Sequence, residues 1–140
     1  MRPKKVVLCV DADEDDLSVR KVLLETHGYR VIAAASADAA VSAFMARAVD
    51  LTVVRHRPLE LDGAELTRAL KRMAPHLPVI LLVDPEFLPA VSGNIGDAMA
   101  VAACSPLGLL ERVRVMSARK RGPRKGQQRA SPAAIGTEAK

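Results

Sequence analysis

The apolar run Val6-Val7-Leu8-Cys9-Val10 leads straight into the acidic loop Asp11-Ala12-Asp13-Glu14-Asp15-Asp16. Carboxylates gathered at the end of a buried strand are the oxygen ligands that a hard divalent cation takes. A second apolar run, Leu51 to Val54, ends on Arg55 instead. A pocket between two such strand ends needs a further carboxylate there. A guanidinium is permanently protonated and has only donors to offer. At a separation of roughly 4 Å it and Mg²⁺ repel by several kcal/mol at an effective dielectric near 20. The pattern is half of a cation site facing a fixed positive charge.

With no carboxylate at that strand end, Arg55 is expected to pair with Asp11 or Asp84 across the top of the sheet, standing in for a bound cation. A different class of function, an enzyme using Asp11, Asp13 and Asp84 as a metal site, requires measurable Mg²⁺ or Mn²⁺ binding. The run Asp13 to Asp16 reads more simply as a solvated loop whose last members favour the positive start of a helix. His56 has no carboxylate at helical spacing and reads as a surface histidine, as do His27 and His76. No nucleophile–base pair or metal-ligand cluster follows from the spacing, so no catalytic residue, metal site or enzyme activity is assigned. The first loop is acidic and lacks glycine, which is wrong for a pyrophosphate.

The elements that position these residues alternate. Val6–Val10, Arg30–Ala34, Leu51–Val54, Val79–Val83 and a weak fifth run over 98–103 read as strands, and continuous apolar runs suit strands buried on both faces. A helix is expected from Asp15 to about His27, with Val19, Val22, Leu23 and Thr26 on its inner stripe and Gly28 as its left-handed cap. Ser36 caps a helix with Ala40, Ala43 and Phe44 inward. Asp62 and Glu65 open another, bearing Leu66, Ala69, Leu70 and Met73. The stretch from Asp84 to Gly96 is broken by prolines and glycines. Pro106 starts a last helix with Leu109, Leu110, Val113 and Met116 buried. The alternation implies a parallel sheet covered on both faces, with the site beyond the carboxyl ends of the strands.

A chain of 140 residues is enough for one domain with a real core, and aromatics at 2% leave that core aliphatic. No apolar run nears the roughly 20 residues of a membrane span. Cys9 and Cys104 have neither disulfide nor ligand spacing, and read as reduced thiols of a cytoplasmic protein. The net charge of +5 is unevenly placed. Residues 119–140 carry seven basic side chains against Glu138 alone, leaving fourteen basic and fifteen acidic in 1–118. The division is therefore a domain over 1–118 and a basic tail over 119–140 without periodicity. Nucleic acid or an anionic surface would be met only through that tail, which lacks aromatics for base stacking.

Over roughly residues 4–118 the chain resembles the receiver domain of two-component response regulators. The resemblance rests on VLCVDADEDD, ETHGYRV, DLTVVRHRPLELDGAEL, LPVILLVD and ACSP, in that order and spacing. It implies an α/β, flavodoxin-like (CheY-like) three-layer fold with a five-stranded parallel sheet. It also implies phosphoryl transfer from a histidine kinase to an aspartate ending the third strand. In that family two acidic residues after the first strand help bind Mg²⁺, and a Ser or Thr and a Lys end the fourth and fifth strands. Here Asp11 matches the first acidic position, while Ala12 takes the second. Arg55 stands at the phosphoacceptor position, Val83 replaces the hydroxyl, and Ser105 precedes Pro106 where the lysine belongs. Ala102 falls where a switching aromatic is usual. The expectation is a degenerate receiver with weak or absent Mg²⁺ binding and no other cofactor. It would act without phosphorylation by binding signalling proteins, a histidine kinase or a downstream effector, through its fourth and fifth helices and the strand between them.

Overall fold

The run Val6–Val10 forms strand β1, and the same burial logic produces β2 (Arg30–Ala34), β3 (Leu51–Arg55), β4 (Val79–Val83) and β5 (Met99–Ala102). In this computed structural model the described residues are 3–93, 95–103 and 105–118; the 119–140 tail and Cys104 lie outside them. All five strands are parallel, in the order β2-β1-β3-β4-β5, so the order reverses between β1 and β3. Such a reversal opens a crevice at the strand ends. Register sets Val10 beside Val54, and Arg55 beside Leu82.

Helices α1 (Glu14–Thr26), α2 (Ala37–Ala46), α3 (Gly63–Met73), α4 (Leu88–Ser92) and α5 (Pro106–Ala118) complete the three layers. Side chains alternate across the sheet. Leu8, Val10, Val54, Leu81 and Val83 pack with Ala40, Leu66, Leu70 and Val91 on one face. Val7, Cys9, Val53 and Ile80 pack with Leu17, Leu24, Leu109 and Val113 on the other. The flavodoxin-like arrangement expected from the sequence is the one observed.

Helix boundaries follow their caps. Asp13, Ser36 and Asp62 accept from the amides of Asp16, Ala39 and Glu65 at 3.0, 3.1 and 3.1 Å. Gly28 takes φ +96° just past α1, the left-handed turn that glycine allows at no steric cost. The segment after β4 is a 3₁₀ turn over Pro85–Phe87 and a five-residue α4, as irregular as its prolines require.

Two expected stripes need correction. On α1 the buried residues are Leu17 and Leu24, while Val19 and Val22 are 59% and 62% exposed and Thr26 faces solvent. The helix has two apolar stripes, and its phase is set by the Asp13 cap and by Arg20 turning toward the sheet. On α3, Met73 is 43% exposed, as the last residue of the helix.

Candidate functional site

Asp11 is the first residue after β1, and its amide still donates to the Ala34 carbonyl of β2 at 3.1 Å. The strand thus carries the carboxylate to the top of the sheet, where it is fully buried. Its Oδ1 accepts from the Asp13 amide at 2.9 Å and from Arg57 Nε at 2.6 Å. Its Oδ2 accepts from Arg57 Nη2 at 3.2 Å and from Arg20 Nη1. A carboxylate has about four acceptor sites. Four donors therefore leave none for a cation.

Arg57 grips Asp11 with two nitrogens, and Nη2 also reaches Asp16 Oδ2 at 2.7 Å. The tight loop after β3 holds its backbone in place. Arg57 N donates to Leu61 O at 3.0 Å, and Leu61 N donates back at 2.8 Å. Burial pushes the Asp11 carboxyl upward, but Arg57, then Arg20, then the Asp13 amide together hold it below the usual carboxylate range. The same pairing with Asp11 raises the Arg57 guanidinium above its ordinary value.

Arg55 is the last residue of β3, one residue later than the sequence suggested for the strand's end, and it too is buried. Its Nη2 donates to Asp84 Oδ1 at 2.7 Å and its Nη1 to the His56 carbonyl at 3.1 Å. Of the two expected partners, Asp84 is the one found. Asp11 is taken instead by Arg57 and Arg20, which the sequence reading passed over. A signal for Arg57 lay in the sequence: an arginine two residues past a strand end, facing the acidic loop across the β1–β3 crevice.

The remaining positions are structural neighbours of this cluster. Ala12 packs against the core. Val83 is fully buried at the end of β4, beside Ala102 of β5. Ser105 is exposed, and its hydroxyl accepts from the Gly108 amide at 3.2 Å in the first turn of α5. His56, read from the sequence as a surface residue, is in fact buried. Its Nδ1 accepts from the Gly63 amide at 3.0 Å, and its ring meets Phe87 edge-on at 6.2 Å. A Cβ at position 63 would lie 2.6 Å from Leu81 Cδ1 and 3.1 Å from the His56 Cα, so only glycine lets α3 begin this close. Below the site Cys9 is buried, and burial pushes its thiol up to about 12 despite the Arg20 charge nearby.

Among the described residues no cluster of three or more His, Cys, Asp or Glu side chains is placed to hold a metal. The top of the sheet joins Asp11, Asp16 and Asp84 to Arg20, Arg55 and Arg57, a balance of three charges of each sign. Chemically it is a set of closed ion pairs with Asp11 at its buried centre.

The geometry can be set beside known proteins. The sequence model of the response regulator receiver domain matches residues 7–92. The transcriptional regulatory protein GlrR of Escherichia coli (strain K12) is 31% identical over 94 residues, 67% of this chain. The chain spans about a fifth of the length of that relative (20%). The signal receiver domain of an HD domain-containing protein from Pseudomonas fluorescens Pf-5 superposes with a TM-score of 0.73 at 27% identity, covering 84% of this chain and 89% of that one. A CheY-like receiver domain protein from Methanospirillum hungatei JF-1 gives 0.71 at 26%, covering 82% and 94%. No helix among the described residues is long and apolar enough to cross a membrane. With the fold and these matches in agreement, this chain belongs to the family of response regulator receiver domains of two-component signalling.

Proposed function

We propose that this receiver domain is a pseudo-receiver, a signalling module that works by binding proteins and is never phosphorylated at the end of β3. The observation that carries this reading is the saturated Asp11 carboxylate, with all four acceptor sites taken by Arg20, Arg57 and the Asp13 amide. Phosphoryl transfer needs an acceptor carboxylate and a cation to neutralise developing charge. Arg55 cannot be the acceptor. A Mg²⁺ ion approaching Asp11 would have to displace a bidentate guanidinium, with Ala12 offering no second ligand. Mg²⁺ binding is therefore weak or absent, and no other cofactor or catalytic activity is assigned.

The output is contact with a histidine kinase or a downstream effector, made without a switching step. A surface suited to it lies on α5 and β5, where Leu107 is 74% exposed and Val115, 51% exposed, lines an open cavity of about 380 Å³ with Met99, Arg112 and Met116. A cytoplasmic location fits such partners.

The test is incubation with a small-molecule phosphodonor and Mg²⁺, read by intact mass. No adduct is expected in the wild type, and none in Arg55→Asp, because the new carboxylate would still face an Asp11 bound by Arg57, along with Val83 and Ser105. A hydroxylamine-labile phosphate on the wild type would overturn the reading. A role for the basic tail in contacting nucleic acid would show instead as a mobility shift lost on deleting residues 119–140.

A further inference from the structure

Beneath the α3 N-terminus lies a cavity of about 460 Å³ that the ion-pair cluster does not use, lined by His56, Asp62, Ala64, Arg68, Ala90 and Val91. His56 is only 8% exposed, yet only one of its ring nitrogens is engaged. Because Nδ1 accepts from the Gly63 amide, the ring's proton sits on Nε2. That N–H has no hydrogen-bond partner among the described residues, and the ring it belongs to forms the cavity wall. The Gly63 bond and the Phe87 edge fix the ring's orientation.

The first turn of α3 supplies a second donor. The opening amides of a helix lack intrahelical partners, and they attract anions. Here Gly63 donates to His56 and Glu65 to Asp62, while Leu66 makes the first intrahelical bond, to the Asp62 carbonyl. Between them the Ala64 amide has no partner among the described residues, and Ala64 lines the cavity. Arg68 adds a positive charge to the wall, and Ala90 and Val91 add apolar surface. Asp62 contributes one opposing charge.

We propose that this cavity binds a carboxylate carried on a short hydrocarbon stem. The His56 Nε2–H and the Ala64 N–H bind its oxygens, Arg68 supplies the counter-charge, and Ala90 and Val91 hold the stem. A monoanionic carboxylate suits the site better than a dianionic phosphate, which Asp62 would repel more strongly. The cavity wall includes none of the Asp11 cluster's residues, although the His56 carbonyl accepts from Arg55, and the proposal does not depend on the pseudo-receiver reading. Its carboxylate comes from a free small acid or from the side chain of a partner polypeptide.

The experiment follows backbone amides of the ¹⁵N-labelled full chain by NMR. Sodium butyrate is titrated in one arm. In the others, an N-acetylated, C-amidated tripeptide containing glutamate is compared with its glutamine counterpart. Saturable shifts at Gly63 and Ala64 are expected with butyrate or with the glutamate peptide, and not with the glutamine peptide. Saturation by butyrate assigns a free acid; saturation by the glutamate peptide alone assigns a polypeptide. Arg68→Gln should weaken binding about two- to fivefold, the range of a single solvent-screened charge. Asp62→Asn keeps a capping side chain and should tighten binding by a similar factor. Equal saturable shifts with the two peptides, no saturation with any ligand, or unchanged or weaker binding in Asp62→Asn would overturn the proposal.

Discussion

Arg55 and Arg57 are two residues apart, and each is paired with an aspartate, yet burial is distributed oppositely in the two pairs. In the first pair the arginine side chain is 10% exposed and its partner Asp84 is 42% exposed. In the second the arginine is 20% exposed and its partner Asp11 is sealed completely. A buried charge that loses its partner has no water to turn to, whereas a half-exposed one does. The energetic centre of the site is therefore Asp11. Arg55, the residue the sequence singles out, holds a partner that water can replace.

The largest effect that tests this contrast is Asp11→Ala. It strips Arg20 of its carboxylate and leaves Arg57 only Asp16, and is expected to cost about 3–5 kcal/mol at neutral pH by chemical denaturation. Arg57→Ala should cost less, about 1–3 kcal/mol, because Arg20 and the Asp13 amide still hold the carboxylate. Millimolar Mg²⁺ should recover part of that loss, since removing Arg57 frees acceptor sites on Asp11. Asp84→Ala should cost about 1–2 kcal/mol, because the buried Arg55 keeps only its carbonyl acceptors while water can enter the half-exposed position that Asp84 vacates. If Asp84→Ala destabilises as much as Asp11→Ala, the contrast between the two pairs is wrong.

Acid unfolding sharpens the same point. The Asp11 carboxyl is held below its unfolded value of about 3.9, so its stabilisation is complete above that pH. It is lost as pH falls from there through the folded value. A stability profile of the wild type should therefore drop below about pH 4, and Asp11→Asn should flatten that limb.

The strands and caps were legible in the sequence because each depends on local pattern. Four of the five strands begin where their apolar runs begin, and Asp62 and Ser36 cap the helices expected of them. What local pattern could not supply was direction. Val19 and Val22 form as good a helical stripe as Leu17 and Leu24, and only the docking of α1 chooses between them. Arg20 turns inward because Asp11 is there, a contact made through folding. His56 was misplaced for a related reason: a polar residue in a loop reads as exposed until Gly63 brings the start of α3 down upon it. At the site, residue types were readable, while the choice of which arginine met which aspartate was not.

The Cys9 thiol, pressed between β1's neighbours and held near 12, has a covalent consequence. The thiolate is the reactive species, and at pH 7 burial keeps the thiol protonated, behind a closed sheet. Alkylation at Cys9 must then wait until the centre of the sheet opens. Labelling followed at that peptide becomes an internal clock for opening events, one that needs no introduced cysteine and that reads the strand leading directly to Asp11.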